Sequence, residues 1–299
     1  MNFLEKNMKI LILGAKGMLA QDLALVFEEE NPLLMDKDDL DITDEKQTKE
    51  IIFSLKPDLI LNAVAYTNVY RAEDEKESAF KINGEAVGFL SQVAKEIGAI
   101  LVHFSTDYVF DGNKEAGCPE DEKPKNPVNV YGASKLAGEK KILETKNLKY
   151  YLIRISWLFG PSGMKNQYKN FVNTISKLAE EKEELKVVND QFGKPTYTLD
   201  VAKGVKFLIS QQVPFGIYHL PNEGWTSWYN FAKKIIEIKG LKTRIIPCQS
   251  REYKTKAKRP KYSILLNTKL PPQRTWEAAL KDYFKTFKVS NFFNFLVYD

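Results

Sequence analysis

The chain has 299 residues, enough for a sizeable core and for one large or two modest domains. Apolar residues make up 43% and charged residues 28%, the balance of an ordinary soluble globular protein. No run of 18 apolar residues and no charged-then-apolar leader is present, so neither a membrane span nor a secretory signal is expected.

The two cysteines, Cys118 and Cys248, form no metal-ligand spacing and no disulfide framework. That fits a reducing cytoplasm, and no metal is expected. The two histidines, His103 and His219, lie in apolar strand-like runs and are expected in the core. Net charge is +5, with lysines and acids mixed along most of the chain. The exception is Lys242 to Lys261, where eight basic residues face one acid, Glu252. Such a stretch suits an anion. Without a periodic basic helix or interleaved aromatics, a small anionic molecule is favoured over nucleic acid.

Met8–Leu13 reads as a buried strand ending in Gly14-Ala-Lys-Gly17, followed by an amphipathic helix to about Glu30. A glycine turn between a strand and a helix lets backbone N–H groups approach a pyrophosphate at the helix N-terminus. The third glycine of that fingerprint falls at Ala20, still small enough for close packing. Leu33–Asp36 is a second strand ending in an acid about 20 residues on, suited to an adenosine ribose. Lys37 follows at once and suits a 2′-phosphate, so NADH and NADPH both stay open.

The alternation continues. A helix over Asp44–Leu55 leads to a strand Asp58–Ala63, and a long helix Glu73–Ile97 to a strand Ala99–Phe104. A helix Tyr131–Glu144 then leads to a strand Tyr150–Ile155. Alternating elements with continuously apolar strands indicate an α/β fold, a doubly wound parallel sheet of Rossmann-like type with its crevice at the carboxyl ends of the strands. Further elements are a helix Asn170–Glu184, a strand Leu185–Val188, a helix Leu199–Gln211 and a strand Gly216–Leu220 that reads as a return to the sheet. A helix Ser227–Lys239, a strand Thr243–Ile246 and a helix Thr275–Phe284 follow, and the end, 291–298, is apolar. With no flexible linker, the two parts interleave. Residues 1–160, with about 195–222, form a dinucleotide-binding domain; about 161–194 and 223–299 form a smaller substrate-binding domain.

The chemistry gathers at the strand ends. Tyr131 and Lys135 lie one helical turn apart on one face. A phenol titrates at about 10, and an ammonium beside it stabilises the phenolate and draws that value toward neutrality. Tyr229 and Lys233 have the same spacing, so context must separate the two pairs. Ser105-Thr106-Asp107-Tyr108 ends the fourth strand, where a hydroxyl can help polarise a substrate carbonyl. Asn62-Ala-Val-Ala-Tyr66 ends the third strand and should line the nicotinamide side; Asn83, within the long helix, is held as a structural or water-ordering residue.

Together these residues resemble the extended short-chain dehydrogenase/reductases. The motifs Leu40-Asp-Ile-Thr-Asp44, Asn62-Ala-Val-Ala-Tyr-Thr67, Phe104-Ser-Thr-Asp-Tyr-Val-Phe110, Asn129-Val-Tyr-Gly-Ala-Ser-Lys-Leu-Ala-Gly-Glu139, Arg154-Ile-Ser-Trp157, Asn189-Asp-Gln-Phe-Gly-Lys-Pro-Thr196, Gly216-Ile-Tyr-His-Leu220 and Arg259-Pro-Lys-Tyr-Ser263 with Leu266-Asn267 resemble the dTDP-4-dehydrorhamnose reductase family, in order from about Lys9 to Leu270. The resemblance implies reduction of the 4-keto group of dTDP-4-dehydro-L-rhamnose by NADPH or NADH. Thr106 then matches the catalytic hydroxyl, Tyr131 the proton donor, and Lys135 the residue that tunes the tyrosine and holds the nicotinamide ribose. Cofactor contacts fall on Gly14, Lys16, Gly17, Met18, Leu19, Asp36, Asp41, Ile42, Asn62, Ala63, Val64 and Ala65. Asp107, Tyr108 and Trp157 match positions near the sugar, Asn173 and Gln191 approach the nucleotide, and Arg259 matches a basic residue near the diphosphate.

The chain departs from the family at Tyr70, where relatives carry an acid, although Glu73 is near. Three alternatives remain: a reductase of another nucleotide-linked keto sugar, a non-catalytic partner resembling the methionine adenosyltransferase beta subunit, and a nucleic-acid binder. The apolar tail leaves a homodimer open.

Overall fold

The computed structural model describes residues 8–161, 170–253 and 255–295, with side chains as far as 286. The first half runs β1 (Ile10–Leu13), α1 (Met18–Val26), β2 (Leu33–Met35), α2 (Glu45–Leu55), β3 (Leu59–Asn62), α3 (Lys76–Phe80), α4 (Ala86–Ile97), β4 (Ile100–Thr106), α5 (Val130–Glu144) and β5 (Lys149–Ile155). The second runs β6 (Leu158–Phe159), α6 (Phe171–Glu181), β7 (Glu184–Val188), β8 (Phe192–Gly193), β9 (Thr196–Tyr197), α7 (Thr198–Ser210) and β10 (Gly216–His219). It ends with β11 (Thr226–Ser227), α8 (Trp228–Lys239), β12 (Arg244–Cys248), β13 (Tyr262–Ser263) and α9 (Trp276–Phe295).

The central sheet has six parallel strands in the order β10-β5-β4-β3-β1-β2. Its middle strands are buried along their length because helices cover both faces. On one face Leu19 and Leu23 of α1, Phe27 just past its end, and Val201, Val205 and Leu208 of α7 pack on Ile10, Ile12, Val102 and Ile153. On the other, Ile52, Leu90, Val93 and Ile142 pack on Leu11, Leu13, Ile60 and Leu152. The late strand β10 does return to this sheet, pairing His219 with Arg154.

A second core is aromatic. Phe159, Tyr197, Phe231, Trp276 and Tyr283 meet between α6, α8 and α9. Parallel pairing of β12 with β7 flanks it.

Two helices depart from the sequence expectation. The helix expected over Glu73–Ile97 is broken into a 3-10 turn at Arg71–Glu73, α3, a π turn at Lys81–Glu85, and α4. The cause is Asn83. Its Oδ1 accepts from the Tyr66 N–H at 2.8 Å while Nδ2 donates to the Tyr66 carbonyl at 3.0 Å and to Ser134 Oγ at 2.9 Å. The wider turn carries the amide toward these partners, and such single π turns inside α-helices are frequent at functional sites. The last helix, expected to end near Phe284, continues to Phe295. Docking of the apolar end concerns side chains outside the described residues. Among the described residues, no helix is long and apolar enough to cross a membrane.

Candidate active site at the carboxyl ends of the strands

Gly14 leaves β1 at φ +79°, and a Cβ there would sit 3.1 Å from the Ala63 carbonyl carbon and the Val64 nitrogen. Only glycine allows both the left-handed backbone and that approach. Its N–H and that of Ala15 donate to the Met35 carbonyl at 2.9 and 3.1 Å, tying the turn to β2. Gly17 caps α1 in an extended conformation with no side-chain cap, so among the described residues Met18 and Leu19 open the helix with N–H groups that no side chain serves.

Asp36 is held by this turn. It accepts from the Lys16 N–H at 2.9 Å and from the Lys37 N–H at 2.8 Å. Lys16 Nζ pairs with Asp38 at 2.7 Å. Asp41 accepts from Thr43 N and Oγ1 at 2.9 and 2.7 Å. Burial works against its ionisation, but the Thr43 bonds and two lysines win and hold it below the usual carboxylate range. Asp41, Thr43, Lys46, Lys49 and Lys81 line a groove of about 720 Å³; Ile42 is buried beside it.

The catalytic candidates meet where β4 ends. Thr106 Oγ1 donates to Asp107 Oδ1 at 2.7 Å and accepts from the Tyr108 N–H at 3.2 Å. Asp107 is nearly sealed, and burial raises it to about 6 against the Thr106, Ser263 and Ser156 hydroxyl groups. Asn129 caps α5 by accepting from the Gly132 N–H at 2.8 Å, and Glu73 accepts from the Val130 N–H at 2.9 Å. A Cβ on Gly132 would overlap the Tyr108 carbonyl, so α5 lies directly on the turn after β4. This sets Tyr131 edge-on to Tyr108, ring centres 5.8 Å apart.

The expected lowering of Tyr131 by Lys135 is not what the geometry gives. Burial pushes the phenol well above its ordinary range, with Thr106 acting against that and Asp107 and Tyr108 adding to it. Lys135 Nζ instead donates to the Phe104 carbonyl at 2.6 Å and lies 3.2 Å from His103 Nε2. Burial lowers Lys135 to about 8, with Glu139 opposing. His103 Nδ1 lies 3.0 Å from Asn62 Nδ2, whose Oδ1 accepts from the Val64 N–H at 3.1 Å.

The remaining candidates spread outward. Trp157 adopts φ +43° and stacks on Trp228 with ring centres 3.4 Å apart. A Cβ on Gly193 would overlap its indole. Arg259 lies 5.1 Å over the Tyr70 ring, and its Nε is buried without a partner among the described residues. Burial opposes its charge, yet Tyr108 and Tyr70 beside it raise it above the ordinary range. Gln191 precedes β8, where Phe192 stacks on Tyr262 at 5.6 Å. Asn173 accepts from the Tyr283 hydroxyl at 2.8 Å, which links it to the aromatic core. The basic stretch is partly neutralised, with Lys256 paired to Asp74 and Arg244 to Glu184.

The family model described as the RmlD substrate binding domain matches residues 8–289. The chain belongs to the dTDP-4-dehydrorhamnose reductase family. It is 39% identical to the spore coat polysaccharide biosynthesis protein SpsK of Bacillus subtilis, over 92% of this chain and 96% of that protein. It is 38% identical to the dTDP-4-dehydrorhamnose reductase of Burkholderia thailandensis, over 88% and 92%. The crystal structure of the dTDP-4-dehydrorhamnose reductase of Bacillus anthracis, a complex with NADP, matches with a TM-score of 0.88 at 37% identity, covering 93% of this chain and 99% of that one.

For a chain of this family, the sequence reading left out three residues that adjoin the cluster. His103 touches Lys135, while Glu139 and Arg154 form a buried pair beneath it. The signal for Glu139 was available, since it follows Lys135 by one turn on the same face. For His103 the only signal was its place on β4 opposite Asn62.

Proposed function

We propose that the chain reduces the 4-keto group of dTDP-4-dehydro-L-rhamnose to dTDP-L-rhamnose, using NADPH or NADH, with Tyr131 as proton donor. The observation that carries this reading is the meeting of Thr106, Tyr131 and Lys135 at the end of β4, with β3 between it and the glycine turn of β1. The turn fits a dinucleotide: Gly14 gives a backbone approach that a Cβ would fill, and α1 begins with uncapped N–H groups. Gly14, Gly17, Met18 and Leu19 would hold the diphosphate, Asp36, Lys37, Asp41 and Ile42 the adenosine end, and Asn62 to Ala65 the nicotinamide side. A bound reduced nicotinamide supplies the hydride to the carbonyl carbon.

The protein supplies the rest. Thr106 orients the carbonyl oxygen and Tyr131 gives it a proton. The ammonium of Lys135 stabilises the phenolate left behind. Tyr108, Asp107 and Trp157 line the sugar, and Arg259, whose Nε has no partner among the described residues, meets the diphosphate. Residues 1–160 with 195–222 would serve the dinucleotide and 161–194 with 223–299 the sugar nucleotide, in a cytoplasmic enzyme.

The test is oxidation of NADH and of NADPH with dTDP-4-dehydro-L-rhamnose made in situ. Turnover by the intact protein and a loss of at least about 100-fold in Tyr131→Phe, with cofactor binding retained, is the expected result. The ratio of rates reads the roles of Asp36 and Lys37. No turnover with either cofactor, despite cofactor binding, would overturn the reading.

A further inference from the structure

A backbone N–H donates and never accepts. The Val64 N–H therefore fixes which end of the Asn62 amide is oxygen, through its 3.1 Å bond to Oδ1. The other end, Nδ2, must donate to His103 Nδ1 at 3.0 Å. A neutral imidazole that accepts at Nδ1 carries its proton on Nε2. That proton points at Lys135 Nζ, 3.2 Å away. Each bond in the row is satisfied when Lys135 is an amine that accepts the Nε2–H and donates to the Phe104 carbonyl. An ammonium has three donors and no acceptor. Protonating Lys135 sets N–H against N–H, or drives the ring proton to Nδ1 against the Asn62 amide.

We propose that His103 is a positioning residue that governs the charge of Lys135, through a one-way row of hydrogen bonds that starts at the Val64 backbone and favours the amine. The other groups facing Lys135 do not undo this. Glu139 acts in the opposite sense but is already held by Arg154 at 2.8 Å. Tyr131 shares the helix face, and Asp107 and Tyr108 act on its phenol. Burial and Lys135 together keep the His103 ring neutral, well below its ordinary range.

The consequence for turnover rests on the reductase reading. Once Tyr131 has given its proton to the substrate oxygen, it takes the next one from solvent, whose O–H bond breaks as that of Tyr131 re-forms. Lys135 takes no part in that bond exchange; its charge sets the field one helical turn from the phenolate. A lysine whose charge is lost just above neutrality therefore makes turnover fall there.

The chain holds only two histidines, so nitrogen-15 histidine labelling makes every ring nitrogen assignable. Long-range proton–nitrogen correlation at about pH 9.5, in buffer alone, above the titration of Lys135 at about 8 and so with Lys135 an amine, is expected to find His103 protonated at Nε2. His219 is the internal control: its Nδ1 faces the Leu266 carbonyl at 2.9 Å and must carry the proton. A His103 protonated at Nδ1, or at both nitrogens, overturns the proposal whether or not the protein turns over a sugar nucleotide. In Asn62→Asp a carboxylate accepts from both Val64 and the ring, which reverses the row. His103 should then flip to Nδ1–H, and the alkaline fall of kcat/KM should move up by at least about one pH unit, a tenfold gain at the alkaline end. A flip that leaves that fall in place overturns the link to Lys135. If the unsubstituted protein shows no turnover, the reductase reading fails alone, and the Nε2–H tautomer still supports the row.

Discussion

His103 on β4 and His219 on β10 are both fully buried, and each lies against a buried cation. At His219 the directions agree. Nδ1–H donates to the Leu266 carbonyl, and Nε2 accepts from Arg154 Nη1 at 3.3 Å. Arg154 spends two more donors on Glu139, at 3.0 and 2.8 Å. Burial and Arg154 hold the ring neutral, down at about 3. At His103 the directions clash as soon as Lys135 carries a charge. A histidine beside a cation is therefore a lock in one place and a titratable pair in the other. What separates them is the donor count of the cation's neighbours, and whether a carboxylate shares the site.

Removing the cation should have opposite signs at the two sites. In Arg154→Met the Glu139 carboxylate stays buried without its partner, and stability should fall by about 3–5 kcal/mol in chemical denaturation. A small loss would mean that water reaches Glu139 and that the site is no lock.

Lys135→Met should instead stabilise. The folded pKa of Lys135, about 8, lies below the ordinary lysine value of 10.5. At neutral pH both folded and unfolded chains carry the proton, so the full cost of the buried charge falls on the folded state, about 3 kcal/mol by linkage. Losing the bond to Phe104 gives back about 1 kcal/mol, leaving a net gain of about 1–2 kcal/mol. As pH rises from 8 toward 10.5 the folded protein sheds the proton first, so the gain should shrink, pass through zero and become a loss of about 1 kcal/mol above 10.5, where only the missing Phe104 bond remains. A gain constant with pH would mean packing, not charge, is responsible. The same variant should lose turnover.

The alternation of the sheet was readable because its strands are short apolar runs separated by helical periods, as in Ile10–Leu13 and Leu59–Asn62. The late return of β10 was readable for the same reason. The broken helix was not, because Asn83 acts on Tyr66 and Ser134, residues distant in the chain. Local propensity carries no trace of such a clamp. The placing of Thr106 at the end of β4, and of Tyr131 and Lys135 one turn apart on α5, was legible from spacing and strand ends. The orientation of Lys135 was not, since it depends on a backbone N–H at Val64 and on an amide at Asn62, and sequence patterns do not encode hydrogen-bond direction. The pull of Lys135 on Tyr131 was overstated for that reason.

The smallest effect probes how far the two sites are separate. Ser105 Oγ donates to Glu139 Oε1 at 2.5 Å, from the strand that also carries His103. Ser105→Ala removes one donor from a buried carboxylate that keeps two bonds to Arg154, so the loss should be about 1–2 kcal/mol with an unchanged denaturant slope. Both histidine tautomers should stay as they are, because neither ring touches Ser105. Glu139 is nevertheless the group that raises Lys135, and freeing it from one hydrogen bond strengthens its field one helical turn away. If the alkaline fall of kcat/KM moves upward in Ser105→Ala, the lock and the titratable pair are joined through Glu139. Arg154 would then belong to the proton chemistry of Lys135 as well as to the stability of the sheet.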